Sequence, residues 1–167
     1  MTRLITDRLT MRCAQPSDLD ALHMLVSNFE VVKMTSSWPW PADRAFTATR
    51  AVPFDKTLGV VGLVFHHDEL VGSMGMTSTT GETPEMGYMF GSAHWGKGYA
   101  TEMGRAMIVY CWEAFDWDEI SACVFDDNEA SDRVLVKLGF EFVGPCRGYS
   151  RARGKELPTR TYRLPRP

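Results

Sequence analysis

The stretch Trp95-Gly96-Lys97-Gly98-Tyr99-Ala100-Thr101-Glu102 is the most informative part of the chain. It follows a short β-rich run, Glu85 to Phe90, and precedes a segment that predicts a long helix ending near Phe115. Glycines at such a junction let the backbone turn sharply and let a ligand approach it closely. Free amides at the start of the helix, with the positive end of its dipole, bind phosphate oxygens. The stretch therefore predicts a pyrophosphate site, although a plain strand-to-helix turn has the same local pattern.

A second phosphate-binding pattern nearly fits the same residues. Gly91, Gly96 and Lys97 match the G-x-x-x-x-G-K of a P-loop. A P-loop needs Ser or Thr at the next position to hold magnesium, whereas this chain has Gly98 there. A P-loop-like phosphotransferase is therefore a distant alternative.

Working outward, strands and helices follow one another along the chain. Leu4 to Arg12 predicts one strand, and apolar residues from Leu19 to Phe29 recur at the spacing of an amphipathic helix. Further predicted elements are a helix from Asp43 to Val52, a hairpin of Leu58 to His66 with Glu69 to Thr77, a strand from Ile120 to Phe125, a helix from Asn128 to Gly139, and strands from Phe140 to Gly144 and Arg160 to Leu164. The fold class is α/β or α+β with a mixed sheet.

Size and composition limit the kind of protein. With 167 residues, 44% of them hydrophobic, the chain supports one core, so a single domain over residues 1–167 is expected. No apolar run approaches the roughly 20 residues of a membrane span, and the charged N-terminus lacks the core of a secretory signal, so we expect a cytoplasmic protein without membrane contact. The four cysteines show no metal-ligand spacing, so no metal is expected.

Charge is unevenly distributed along the chain. A net charge of −3 argues against general nucleic-acid binding, which needs an excess of Lys and Arg. Between Arg147 and Arg166, however, six arginines and one lysine face a single acid, Glu156. A solvated hairpin rich in charge is the favoured interpretation. The other is attraction for an anionic cofactor or a carboxylate on a substrate.

Trp38-Pro39-Trp40-Pro41 predicts a loop, because each proline removes an amide donor and restricts the residue before it. Tryptophans in such a loop are more often packing anchors than ligand contacts. Aromatic side chains beside a cleft also form ligand pockets. Trp38 and Trp40 are therefore candidate substrate-binding residues.

Three motifs in order resemble one known family. They are Glu85-Met86-Gly87-Tyr88-Met89-Phe90, then Trp95 to Glu102, then Asn128-Glu129-Ala130-Ser131 ahead of Lys137-Leu138-Gly139-Phe140. Together they resemble the GNAT acetyltransferase superfamily, and within it the ribosomal-protein-alanine N-acetyltransferase branch. The resemblance covers nearly the whole chain. It implies a GNAT-like fold: a central mixed, mostly antiparallel sheet with splayed parallel strands, flanked by helices.

The resemblance implies acetyl-CoA as cosubstrate, with no metal. Its pantetheine arm would lie between the Glu85 to Phe90 and Ile120 to Phe125 strands, paired with backbone groups of residues 89–91. The implied cosubstrate-binding residues are Met89, Phe90, Gly91, Trp95, Gly96, Lys97, Gly98, Tyr99, Ala100, Thr101, Asn128 and Ser131. Trp95 departs from the wider family pattern, which has Gln or Arg there, and this removes one side-chain contact to the phosphates.

The implied reaction is N-acetylation of a primary amine, either a protein N-terminus or a small molecule. Alkylamines are almost wholly protonated near neutral pH, so a base must accept a proton. Glu85 lies at about the position where several family members place a catalytic glutamate; the alternative is a strand-end carboxylate that only binds water. Weaker candidates are Glu82, Glu102 and Asp126.

The leaving thiolate needs a proton donor, and the resemblance points to Ser131. Much of the superfamily has a tyrosine at the place of Leu135, whereas the ribosomal-protein branch has a serine three residues after the asparagine, as in Asn128-x-x-Ser131. The alternative is that Ser131 merely caps a helix. A non-catalytic CoA-binding module is the main competing function. A homodimer is common among relatives.

Overall fold

The computed structural model describes residues 3–78 and 82–167. Eight strands form one sheet in the order β1-β2-β3-β4-β5-β6-β8-β7. The strands are β1 Arg3–Ile5, β2 Thr10–Arg12, β3 Gly59–His66, β4 Glu69–Thr77, β5 Glu85–Phe90, β6 Glu119–Phe125, β7 Glu141–Ser150 and β8 Lys155–Pro165. The α-helices are α1 Leu19–Val26, α2 Phe29–Val32, α3 Arg44–Arg50, α4 Tyr99–Ala114 and α5 Glu129–Lys137.

The sheet is mixed and mostly antiparallel, as the sequence predicts. Among these strands only β5 and β6 pair in parallel. Side chains alternate between its two faces, so Met86 joins the core cluster formed with α4, and Met89 joins the cluster formed with α1 and α2. Met103 and Met107, four residues apart, bury one stripe of α4 completely. The predicted fold class is confirmed.

Two predicted boundaries at the N-terminal end were wrong. Leu4 to Arg12 is two antiparallel strands instead of one, because the chain turns where the Thr6 amide donates to the Leu9 carbonyl oxygen at 2.9 Å. The first helix stops at Val26, and Asn28 then caps the separate helix α2 by accepting from the Glu30 amide at 3.0 Å. Side-chain capping competes with helix continuation, and apolar periodicity does not detect this.

The C-terminal strands are much longer than the sequence predicts. β7 and β8 pair from Glu141 opposite Arg163 to Ser150 opposite Lys155, with an irregularity between Phe142 and Gly144. They form the basic hairpin at the far edge of the sheet. In the part of the chain that the structure describes, no helix is long and apolar enough to cross a bilayer.

Candidate active site

The parallel strands β5 and β6 separate soon after they begin to pair. Their register comprises only Glu85 opposite Ser121 and Met86 opposite Ala122. Both the amide and the hydroxyl of Ser121 donate to the Pro84 carbonyl oxygen, at 2.8 and 3.0 Å, which fixes the strands at this end. Beyond Met86 no register pairs the two strands, although β5 continues to Phe90. The sheet therefore opens at the place where the sequence predicted splayed strands.

A large cleft runs through this opening. Its volume is about 1070 Å³. One part is lined by side chains around the open strands, and another by the loop after α2, by α3 and by the face of β3 and β4. The lining residues discussed below are Trp38, Phe46, Arg50, Glu82, Glu85, Tyr88, Met89, Cys123, Asn128 and Ser131. The cleft has enough room for an extended ligand and an acceptor together.

Glu85 begins β5 and lines the cleft. Its side chain reaches solvent, yet the cleft walls exclude much of the surrounding water, and this desolvation raises the pKa of its carboxyl group. Desolvation also raises the pKa of the neighbouring Cys123 thiol, and the negative charge of Glu85 adds to that rise. Cys123 therefore stays protonated beside the carboxylate. The sequence analysis did not single out Cys123, because no local pattern places it in a cleft.

The weaker base candidates differ in their positions. Glu82 lines the cleft with Glu85, whereas Asp126 does not line it. Glu102 is held by other groups: its carboxylate accepts from the Thr6 hydroxyl at 2.6 Å and forms an ion pair with Arg8 at 2.6 Å. Desolvation acts to raise the pKa of Glu102, but these hydrogen bonds outweigh it and lower the pKa. Glu102 is therefore a poor base, and it ties α4 to the turn between β1 and β2.

Ser131 lines the cleft from the first turn of α5. The helix cap is Asn128, whose side-chain oxygen accepts from the Ser131 amide at 3.2 Å. Ser131 is therefore not the capping residue, and the alternative interpretation of this serine is wrong. The Tyr88 hydroxyl, from β5, donates to the Ser131 carbonyl oxygen at 3.3 Å. This contact joins the two sides of the opening, and the sequence analysis missed Tyr88 because the contact spans 43 positions.

The loop before α4 has the geometry that its glycines predict. Gly96 and Gly98 have φ of 75° and 79°, the left-handed region that side chains rarely adopt. Gly98 is the N-cap of α4 and has no side chain to satisfy the first amides, since the first bond of the helix runs from the Glu102 amide to the Gly98 carbonyl. Residues 96–98 are exposed. The amides of Tyr99, Ala100 and Thr101 thus begin the helix without a capping side chain.

Some backbone groups assigned to pantetheine are already used within the protein. The Trp95 indole donates to the Phe90 carbonyl oxygen at 2.8 Å. The Gly91 amide donates to the Val71 carbonyl oxygen and its own carbonyl accepts from His94, both at 2.9 Å. Met89 lines the cleft, whereas Phe90 and Gly91 do not. Of these residues, Met89 therefore remains a candidate pantetheine contact, and the Trp95 indole fixes the end of β5.

The two tryptophans of the proline-rich loop lie in different places. Trp38 lines the cleft and meets Phe46 edge-on, with ring centroids 5.6 Å apart. Trp40 does not line it and packs against Phe29, with ring centroids 5.0 Å apart. The structure supports Trp38 as a substrate-binding candidate and does not support Trp40.

Comparison with known proteins identifies the family. A family model described as an acetyltransferase (GNAT) domain matches residues 8–141. The chain belongs to the GNAT acetyltransferase family. It is 30% identical to the uncharacterized N-acetyltransferase YoaA of Bacillus subtilis (strain 168), over 98% of this chain and 97% of that protein. It is also 30% identical to the uncharacterized N-acetyltransferase p20 of Bacillus licheniformis, over 98% and 96%.

Solved GNAT structures have the same fold. An acetyltransferase of the GNAT family from Bacillus anthracis superposes with a TM-score of 0.81 at 22% identity, over 98% of both chains. RimL, a ribosomal L7/L12 alpha-N-protein acetyltransferase solved in complex with coenzyme A, superposes with a TM-score of 0.83 at 18% identity, again over 98% of both. The predicted resemblance to the GNAT superfamily is confirmed. Within residues 3–78 and 82–167, no three His, Cys, Asp or Glu side chains are grouped to hold a metal ion.

Proposed function

We propose that this protein transfers the acetyl group of acetyl-CoA to a primary amine, on a protein N-terminus or on a small molecule. The observation that carries the proposal is the opening of the sheet beyond Met86, with Glu85 at its start and Ser131 beside it. Membership in an acetyltransferase family supports the same reaction. Met89 and Asn128 line the same cleft and are the proposed contacts for the pantetheine arm.

The residues before α4 fit the diphosphate of the cosubstrate. Left-handed glycines at 96 and 98 leave the backbone open, and a Cβ added at Gly96 would meet nothing within 4 Å. Uncapped amides at residues 99–101 then donate to phosphate oxygens at the positive end of the helix dipole. Lys97, which is exposed on the same loop, adds a positive charge.

Glu85 is the proposed proton acceptor. The amine nitrogen attacks the thioester carbonyl carbon, a C–N bond forms, and the amine proton passes to Glu85 directly or through water. A carboxylate with an ordinary pKa is a weak base at neutral pH. Desolvation raises the pKa of Glu85, and a general base is most effective when its pKa lies near the pH of the reaction.

Ser131 is the proposed donor to the leaving sulfur as the C–S bond breaks. It lies in the first turn of α5, where the helix dipole also favours negative charge. Its amide is held by Asn128 and its carbonyl by Tyr88, so its side chain is positioned from both sides. The thioester itself is activated, and the chemistry proposed for these residues uses no metal.

A thiol-release assay with acetyl-CoA and a panel of primary amines tests this function. The proposal expects amine-dependent release of free CoA, with formation of the N-acetyl product confirmed by mass spectrometry. Glu85→Gln should greatly reduce release and retain acetyl-CoA binding. Tight acetyl-CoA binding without turnover of any amine, including peptide N-termini, would instead indicate a non-catalytic CoA-binding module.

A further inference from the structure

The arginines of the basic hairpin are not equivalent. Five of the six between Arg147 and Arg166 form ion pairs, which are Arg147 with Glu156, Arg153 with Asp127, Arg160 with Asp132, Arg163 with Glu119 and Arg166 with Asp116. Within residues 3–78 and 82–167, Arg151 has no carboxylate at ion-pair distance. The other five therefore fit the solvated hairpin, whereas Arg151 forms no ion pair with any of the described residues.

Arg151 contacts an aromatic ring that a second arginine without an ion pair among the described residues, Arg50, also contacts. Its guanidinium carbon lies 4.6 Å from the Phe46 ring centroid, and that of Arg50 lies 5.2 Å from the same centroid. Arg50 also forms no ion pair with any carboxylate in the described part of the chain. Phe46 and Arg50 line the cleft, whereas Arg151 does not line it and lies beside it on the Phe46 ring. Two guanidinium groups beside one ring concentrate positive charge there, and this charge attracts an anion.

The backbone next to Arg151 is held in place by a buried group. The Ser150 side chain is fully buried, and its hydroxyl donates to the Lys33 and Thr35 carbonyl oxygens, both at 3.3 Å. The Arg151 amide donates to the Ser36 carbonyl oxygen at 3.0 Å. The hairpin turn is thus fixed to the loop that leads to Trp38. Such anchoring lowers the entropy cost of binding a ligand.

Helix α3 is fixed just as firmly on the other side of the ring. Asp43 caps it by accepting from the Ala45 and Phe46 amides at 2.8 and 3.2 Å. Thr47 is fully buried, and its hydroxyl lies 3.1 Å from His23 Nδ1 on α1. Arg50 and Phe46 therefore project from a helix with a defined position.

The charges of the cleft are separated by sign. Among the described lining residues, the charged ones are Arg50 on α3, Glu85 at the start of β5 and Glu82 in the segment before β5. Trp38 and Phe46 supply an apolar wall. A ligand with an amine at one end and an anion at the other complements this pattern.

We infer that the acceptor amine carries an anionic group, a carboxylate or a phosphate, which Arg50 and Arg151 bind beside Phe46 while the amine reaches Glu85. This inference rests on the proposed acetyl transfer and names its substrate class. A guanidinium group can bind a carboxylate or a phosphate through paired hydrogen bonds, so the experiment must distinguish these two groups.

The test compares pairs of amines in which one member carries an anionic group and the other is its neutral counterpart. Suitable pairs are para-aminomethylbenzoate with para-aminomethylbenzamide, β-alanine with β-alaninamide, and O-phosphoethanolamine with ethanolamine. Rates of thiol release are compared per unprotonated amine. The anionic member of at least one pair should have a kcat/KM about tenfold higher than its neutral partner, mainly through KM. A preference within the first two pairs indicates a carboxylate, and one within the third indicates a phosphate.

The variants Arg50→Gln, Arg151→Gln and the double variant test the residues themselves. The double variant should lower kcat/KM for the anionic acceptor to the level of the neutral one. Arg105→Gln is the matched control, since Arg105 is exposed on α4, lies on neither the cleft lining nor the Phe46 ring, and forms no ion pair among the described residues. Calorimetry with the CoA-saturated protein measures acceptor binding without turnover, and the double variant should lose that heat.

These readouts distinguish failure of the inference from failure of acetyl transfer. Equal use of anionic and neutral amines, or an unchanged preference in the double variant, overturns the inference and leaves the transferase proposal intact. If no amine turns over, binding of the anionic members by the wild type and its loss in the double variant still supports the inference, whereas absence of such binding overturns it.

Discussion

Tyr88 on β5 and Ser131 on α5 meet across the opening of the sheet, where the tyrosine hydroxyl donates to the serine carbonyl oxygen at 3.3 Å. Desolvation raises the pKa of Tyr88 to about 12, and the charge of Asp132 contributes to the rise. The hydroxyl therefore keeps its proton throughout the pH range of an assay. This contact makes Tyr88 a positioning residue for Ser131.

Tyr88→Phe should lower kcat/KM roughly fivefold, because the loss of one hydrogen bond of about 1 kcal/mol lets the first turn of α5 shift. A double-mutant cycle with Ser131→Ala checks the cause. If Tyr88 acts through Ser131, then Tyr88→Phe should have little further effect once Ser131 is alanine. Fully additive losses would show that Tyr88 acts independently of the serine.

Glu85→Gln should reduce kcat/KM about a hundredfold or more, the range for loss of a general base. In the wild type, kcat/KM should rise with pH through a pKa above the ordinary 4.5 of glutamate, because desolvation raises it. This acidic limb should disappear in the variant. If kcat/KM of Glu85→Gln still rose with pH through the same pKa, the titrating group would be a residue other than Glu85.

The same substitution has a consequence for stability. The pKa of Glu85 is higher in the folded protein than in the unfolded chain, so the folded state favours the protonated carboxyl group. Ionised Glu85 therefore lowers the free energy of unfolding above the folded pKa, and this destabilisation disappears as the pH falls below it. Glu85→Gln should therefore unfold at a temperature no lower than the wild type at pH 8. A marked loss of thermal stability would attribute its inactivity to misfolding.

Gly98→Val should weaken acetyl-CoA binding about tenfold or more, because a β-branched side chain is strained at φ 79° and would cover the amides that begin α4. The matched control is Gly154→Val. Gly154 has φ 64° in the turn between β7 and β8, and a Cβ there meets nothing within 4 Å. The control should suffer comparable backbone strain and keep its affinity. Equal losses by calorimetry in both variants would argue against the loop as the diphosphate site.

Glu102→Gln should destabilise the fold by about 1–2 kcal/mol at pH 7, since it weakens the bonds to Thr6 and Arg8. The folded pKa of Glu102 is lowered, so its contribution is present above the unfolded value of about 4.5 and is lost as pH falls through the folded value. Denaturant unfolding at pH 7 and pH 3 should show a smaller difference from wild type at the lower pH. A constant difference would exclude the carboxylate charge as its source.

The parts of the fold that depend on neighbouring residues were predictable from the sequence. The strand from Glu85 to Phe90, the left-handed glycines and the cap at Asn128 follow from local rules of backbone freedom and helix capping. By contrast, the sequence pattern did not separate Trp38 from Trp40, because their positions depend on packing against Phe46 and Phe29.

Contacts between distant segments were beyond the reach of sequence patterns. Arg50 and Arg151 lie 101 positions apart, and both reach the Phe46 ring because Ser150 anchors the hairpin turn to the loop after α2. The excess of arginine was visible from composition. Which arginine lacks a carboxylate partner among the described residues depends on the tertiary ion pairs of the other five.

The most direct test of the central claim is a calorimetric titration of the purified protein with acetyl-CoA. The open strands and the glycine loop predict saturable binding of one acetyl-CoA per chain, with affinity reduced by Gly98→Val and kept by Gly154→Val. No detectable binding of acetyl-CoA or of free CoA at millimolar concentration would contradict the account.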